Sequence, residues 1–128
     1  MKLLLDTHVL IWWSSNSDKL TNKVYDLITD TDNSLIFSIA SVWEMQIKSQ
    51  LGKLNLIAPL PELIANQQQV NKIQILPIEL NHIYVLKDLR DNHRDPFDRI
   101  IIAQALFEKM PVVSKDEIFD AYPVEKIW

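Results

Sequence analysis

The chain has 128 residues, of which 48% are hydrophobic and 23% charged, the profile of a globular protein with one domain and one hydrophobic core. It has no cysteine and a single glycine, Gly52, which excludes disulfides, thiolate metal sites and the glycine-rich phosphate loops of nucleotide-binding folds. A net charge of −4 argues against a broad nucleic-acid-binding surface, and no apolar run reaches the length of a membrane span.

The first apolar run, Lys2 to Leu5, reads as a buried strand. Asp6 interrupts it too early for a signal peptide and no small-residue cleavage site follows, so a cytoplasmic location is expected. Thr7 to Trp13 is expected as a short helix and Lys19 to Thr29 as a longer one. Ser34 to Phe37 is the second strand, followed by a helix from Ala40 to Leu51 that Gly52 caps. Pro61 to Val70 reads as a helix, with Gln67 to Gln69 on its solvated face, and Gln74 to Leu76 as the third strand. Helices are expected over Glu79 to Leu89 and Pro96 to Lys109. Val112 to Val113 is the fourth strand and Val124 to Ile127 the fifth. Strands alternating with helices imply an α/β fold with a parallel sheet covered on both faces, and no linker or composition shift divides residues 1–128.

Ligands in open α/β sheets bind beyond the carboxyl ends of the strands. Asp6 ends the first strand, Ser38 the second, and Asp116 follows the fourth. Glu44 lies early in the helix after the second strand, and Asp98 in the first turn of the helix leading to the fourth. Each acid also has a purely structural explanation. Asp95-Pro96 is a helix start, with Asp98 placed to favour the helix dipole. Ser41 to Glu44 and Ser114 to Glu117 fit capping boxes, and Asp6 fits a cap before Thr7. The coincidence of all four is harder to explain in this way, and Asp6 follows a buried strand directly, where an unpartnered carboxylate is costly. Converging carboxylates repel one another unless they share protons or cations. A hard divalent ion, Mg²⁺ or Mn²⁺, suits oxygen donors and also grips phosphate. It would lower the pKa of a bound water and offset charge on a leaving oxygen. An acidic protein can hold a polyanion in this way.

The segments that carry these acids resemble the PIN-domain nucleases, and most closely the VapC-type toxins of toxin–antitoxin pairs. The matching blocks run from Leu3 to Trp12, from Ser38 to Met45, from Asp95 to Ala105 and from Val113 to Phe119. The resemblance implies a parallel sheet of order 3-2-1-4-5 between helices. It also implies Mg²⁺- or Mn²⁺-dependent cleavage of RNA by water, leaving a 5′-phosphate. Asp6, Glu44 and Asp98 would form the core metal site, with Asp116 a more variable fourth acid acting directly or through water. Thr7 and Ser38 would orient ligands or water from behind. The same resemblance implies a protein antitoxin and a homodimer as partners.

Arg94, Arg99 and Lys115 flank the acidic blocks and are candidates to steer phosphate, with solvated surface charge as the alternative. His8 could approach the site from the first helix, whereas His82 and His93 are expected on the surface. Trp12, Trp13 and Trp43 are expected in the core, although neighbours on a helix point about 100° apart, so one of Trp12 and Trp13 could face a partner. Two other functions compete. A phosphoaspartyl protein also places Asp after a parallel strand, but a phosphatase needs a second Asp where His8 stands, and the acidic neighbours of a receiver are missing. A non-catalytic binding module on the same fold is the other, and the intact set of four acids argues against it. The target RNA, its cleaved sequence and the number of metal ions are not legible.

Overall fold

The computed structural model describes residues 1–90 and 95–128. Five strands, β1 (Lys2–Leu5), β2 (Ser34–Ser38), β3 (Gln74–Leu76), β4 (Val112–Val113) and β5 (Lys126–Ile127), form one sheet. Its order is β3-β2-β1-β4-β5 and every pairing is parallel, as expected. The helices are α1 (Thr7–Ser14), α2 (Asn22–Thr29), α3 (Ile39–Gln50), α4 (Leu60–Val70), α5 (Leu80–Val85) and α6 (Pro96–Glu108). Among the described residues no helix is long and apolar enough to cross a membrane.

The central strand explains the two-sided core. Leu3, Leu4 and Leu5 are all fully buried, and side chains alternate between sheet faces. Leu3 and Leu5 pack with Val9, Leu10, Val24, Phe37 and Met45 on one face. Leu4 packs with Ile36, Ile101, Ile102, Val112 and Phe119 on the other. A continuous apolar run is what a parallel strand covered on both faces requires. A third cluster, Ala40, Ile100 and Ala103, joins α3 to α6. The small Ala40 and Ala103 let these helices approach, and Glu44 lies one turn beyond Ala40.

Element ends follow local chemistry. The second helix begins at Asn22 rather than Lys19, because Thr21 Oγ1 accepts from the Val24 N–H at 3.2 Å and caps it. α3 ends in a Schellman motif, with Gly52 at φ +72° and the Lys53 N–H donating to the Lys48 carbonyl at 2.9 Å. The helix expected over Glu79 to Leu89 divides into α5 and a 3-10 turn, Leu86–Asp88. The Leu86 carbonyl accepts from Leu89 N at 3.2 Å and from Arg99 Nη2 at 3.5 Å, which draws it out of a regular helical ladder. Gln67, expected on a solvated face, is buried, and its side-chain oxygen accepts from Asn71 at 2.7 Å.

Candidate metal centre

In this strand order the chain reverses direction across the sheet between β1 and β4, and the carboxyl ends there open a crevice. Asp6 leaves β1 at that point, with its N–H donating to the Val113 carbonyl at 3.0 Å. Its side chain is buried. Oδ1 accepts from the Thr7 N–H at 2.8 Å, and Oδ2 accepts from Ser114 Oγ at 2.8 Å. Ser114 Oγ also accepts from the Asp116 N–H at 2.9 Å. One buried hydroxyl thus fixes the first acid and the loop that carries the fourth.

Glu44 comes from α3. Ser38 closes β2 and caps this helix, its Oγ accepting from Ala40 N at 3.0 Å. The cap is Ser38, not Ser41, so α3 starts at Ile39 and the expected Ser41–Glu44 capping box does not form. Instead the Ser41 hydroxyl is buried inside the helix without a hydrogen-bond partner among the described residues. Glu44 Oε1 accepts from Thr7 Oγ1 at 2.9 Å, and Oε2 from Lys48 Nζ at 2.9 Å. Thr7 therefore touches both of the buried acids, through its amide and through its hydroxyl.

Asp98 stands in the first turn of α6, half-buried. The helix starts as the sequence suggests, with Pro96 in its first turn and Asp95 Oδ1 accepting from Phe97 N at 2.9 Å and Asp98 N at 3.3 Å. Asp116 is exposed, and Oδ1 accepts from Ile118 N at 3.0 Å, capping the 3-10 turn Glu117–Ala121. This displaces the expected Ser114–Glu117 capping box, since Ser114 turns towards Asp6. Asp6, His8, Val9, Trp12, Lys115 and Asp116 line a cleft of about 220 Å³.

The electrostatics of the cluster are strained. Burial pushes the Asp6 carboxyl above the ordinary carboxylate range. The Ser114 hydrogen bond, the charge of His8 and the Thr7 N–H pull it back, while the negative charge of Glu44 adds to the rise. The hydrogen bond to Glu44 holds the Lys48 ammonium above its ordinary value; burial opposes this, and the charges of Glu44, Asp95 and Asp98 add to it. Lys48 thus links the Asp98 end of α6 to Glu44. Among the described residues no three of Asp6, Glu44, Asp98 and Asp116 bring their oxygens within 4.8 Å of one another. Their carboxylate oxygens are donors of the type that a hard divalent ion takes.

The family profile described as PIN domain matches residues 3–125. The chain belongs to the PIN domain family. No curated protein is similar enough to match. Among solved structures, this PIN domain resembles VapBC2 of Rickettsia felis bound to a promoter DNA fragment, with a TM-score of 0.73 and 15% identity over 99% of this chain and 98% of that one. DNA-bound VapBC of Salmonella typhimurium gives a TM-score of 0.72 and 16% identity over 99% and 97% of the two chains. A toxin–antitoxin complex of Klebsiella pneumoniae gives 0.65 and 16% over 98% and 96%. At these identities the likeness is one of fold.

Of the three flanking cations expected near phosphate, Lys115 and Arg99 are among the described residues of this PIN domain. Lys115 is exposed and lines the cleft. Arg99 Nη1 donates to the Arg90 carbonyl at 2.8 Å and Nη2 to the Leu86 carbonyl at 3.5 Å, contacts that brace the 86–90 segment against α6. Arg94 and His93 lie outside the described residues. The tryptophans also separate. Trp13 packs on the core, Trp12 sits 5.6 Å from His8 and 5.9 Å from Trp128, and Trp43 is 59% exposed against the edge of Phe97.

His82 corrects the sequence reading. It is fully buried rather than on the surface. Glu79, His82 and Glu108 bring ligand atoms within 4.8 Å of one another, which resembles a metal site. The hydrogen bonds give another explanation. Nδ1 accepts from the Glu79 N–H at 3.0 Å, so the proton resides on Nε2, which donates to Glu108 Oε1 at 2.9 Å. Both ring nitrogens are engaged: Nδ1 caps the start of α5 and Nε2 ties α5 to α6. Replacing His82 by Leu is expected to cost about 2–3 kcal/mol in denaturant unfolding, because Glu79 N–H and Glu108 each lose a partner. A change below about 0.5 kcal/mol, typical of a surface site, would overturn this assignment.

Sequence reasoning missed Lys48 and the role of Ser114. Their only signals were spacing: Lys48 is one turn beyond Glu44, and Ser114 is two residues before Asp116.

Proposed function

We propose that this PIN domain is a metal-dependent endoribonuclease, the toxin of a toxin–antitoxin pair, with Asp6, Glu44 and Asp98 as its metal-binding acids and Asp116 as a fourth. The observation that carries the reading is Asp6. It is a buried carboxylate at the carboxyl end of the central strand, facing Glu44 and pushed towards its protonated form. Such an arrangement is relieved by a proton or by a cation, and a bound divalent ion lets the carboxylate stay ionised at neutral pH. A bound Mg²⁺ or Mn²⁺ would supply Lewis acidity towards the scissile phosphate and activate water for attack. The chain's own residues orient the donors. Ser114 and the Thr7 amide fix Asp6, and the Thr7 hydroxyl fixes Glu44. Lys115, exposed at the cleft, supplies a positive charge for the RNA backbone.

The similar structures named as toxin–antitoxin complexes support an antitoxin partner. Exposed Leu80, Ile83 and Tyr84 on α5 offer apolar area for a second copy of the chain. In this reading the protein acts in the cytoplasm, where its RNA substrate would be met.

The test is cleavage of single-stranded RNA by the purified chain, freed of any bound antitoxin. Cleavage is expected with Mg²⁺ or Mn²⁺, to stop in excess chelator, and to return when Mn²⁺ is restored. Undiminished cleavage in chelator would sink the metal reading.

A further inference from the structure

Lys48 is a cation built into the acid cluster. Its Nζ lies 2.9 Å from Glu44 Oε2, and the two side chains are 41% and 7% exposed. A Glu–Lys pair one turn apart on a solvated helix face contributes little. This pair differs in three respects. Its acceptor is buried, and the other oxygen of that acceptor already takes the Thr7 hydroxyl. The ammonium also lies within the field of Asp95 and Asp98, which belong to a different helix. Finally, the Lys48 carbonyl is tied into the Schellman motif at Gly52, so the last turn of α3 holds the residue in place.

A divalent ion approaching Glu44 therefore meets a carboxylate whose two oxygens both have donors, one of them charged. We propose that Lys48 is a resident counter-ion of this site, competing with the metal for Glu44 Oε2 and limiting the site to one divalent ion. Lys48 and the cleft residue Lys115 already offset part of the negative charge of Asp6, Glu44, Asp95, Asp98 and Asp116, which leaves less to hold a second divalent ion.

The inference rests on the metal-site reading above, so the experiment separates the two. The full chain is titrated with Mn²⁺ alone, and the free ion is followed by electron paramagnetic resonance. The wild type is expected to bind one Mn²⁺. Lys48→Gln is expected to bind at least about tenfold more tightly, because a like charge close to the ion is gone. Lys48→Arg should retain the wild-type affinity, and Lys48→Met, which keeps the aliphatic stem, should behave as Lys48→Gln. The rise in melting temperature on adding Mn²⁺ should likewise be larger for Lys48→Gln than for the wild type. Two ions on the wild type, or unchanged or weaker binding by Lys48→Gln, would overturn the inference. If Asp6→Asn abolishes binding while Lys48→Gln changes nothing, the metal site stands and the counter-ion role falls. Absence of Mn²⁺ binding by the wild type removes both.

Discussion

Replacing Asp6 by Asn is expected to give a metal-free chain that melts higher than the wild type at neutral pH and no longer cleaves RNA. The stability half follows from the raised Asp6 carboxyl, which burial drives and Glu44 reinforces. A carboxyl raised in the folded state binds its proton more readily there than in the unfolded chain. Its contribution thus favours folding at low pH and is lost as pH rises through the folded value. At neutral pH the group therefore opposes folding relative to low pH. Asn removes that charge and still offers one acceptor to Thr7 N–H, while its amide can donate to Ser114 Oγ. The gain should shrink as pH falls and the wild-type carboxyl takes up its proton. The functional half follows from the loss of a charged oxygen donor, with cleavage falling by more than about a hundredfold, beyond what outer-shell changes usually cost. Melting curves at several pH values, with and without Mn²⁺, check both halves. Mn²⁺ should raise the melting temperature of the wild type and leave Asp6→Asn unmoved. A variant that melts lower than the wild type without metal would refute the strain argument.

The central fold was legible because its signal is local and redundant. Leu3-Leu4-Leu5 can hardly be anything but a two-sided strand, and Asp95-Pro96 announces α6 through its cap and its fixed φ. The placing of Asp6 at the crevice followed from the strand alone. What escaped was set by contacts between distant segments. His82 looks like an ordinary polar position on a short amphipathic helix, and only the approach of Glu108, 26 residues away, makes it a buried joint. Ser114 reads as a cap because its nearest sequence partners are acids, yet its bond runs to Asp6, 108 residues away. Ser41 and Ser38 were equally good caps by residue type, and the end of β2 decided between them. Lys48 was missed because the burial of its acceptor Glu44, which gives the pair its meaning, has no signature in sequence.

Ser114→Ala carries the second large effect, although its hydroxyl is not itself among the proposed metal-binding groups. The hydroxyl is fully buried and serves two partners, donating to Asp6 Oδ2 and accepting from Asp116 N–H. Alanine fits the space and fills neither role. The fold should lose about 1–3 kcal/mol, the cost of leaving buried polar groups unsatisfied. Asp6 also loses its largest opposing influence, so its carboxyl should rise further above the ordinary range. A more readily protonated and less firmly held Asp6 is a poorer ligand. Affinity for Mn²⁺ should fall about 10–100-fold, as it does when an orienting partner behind a metal ligand is removed. Ser114→Thr keeps the hydroxyl and separates the two contributions. If the added methyl is accommodated, Mn²⁺ affinity should return even where stability does not. The loss in Ser114→Ala should also be larger at low pH, where protons compete for Asp6, and smaller as pH rises. A Ser114→Ala chain that binds Mn²⁺ like the wild type at every pH would show that Asp6 is positioned by the backbone bonds to Thr7 and Val113 alone.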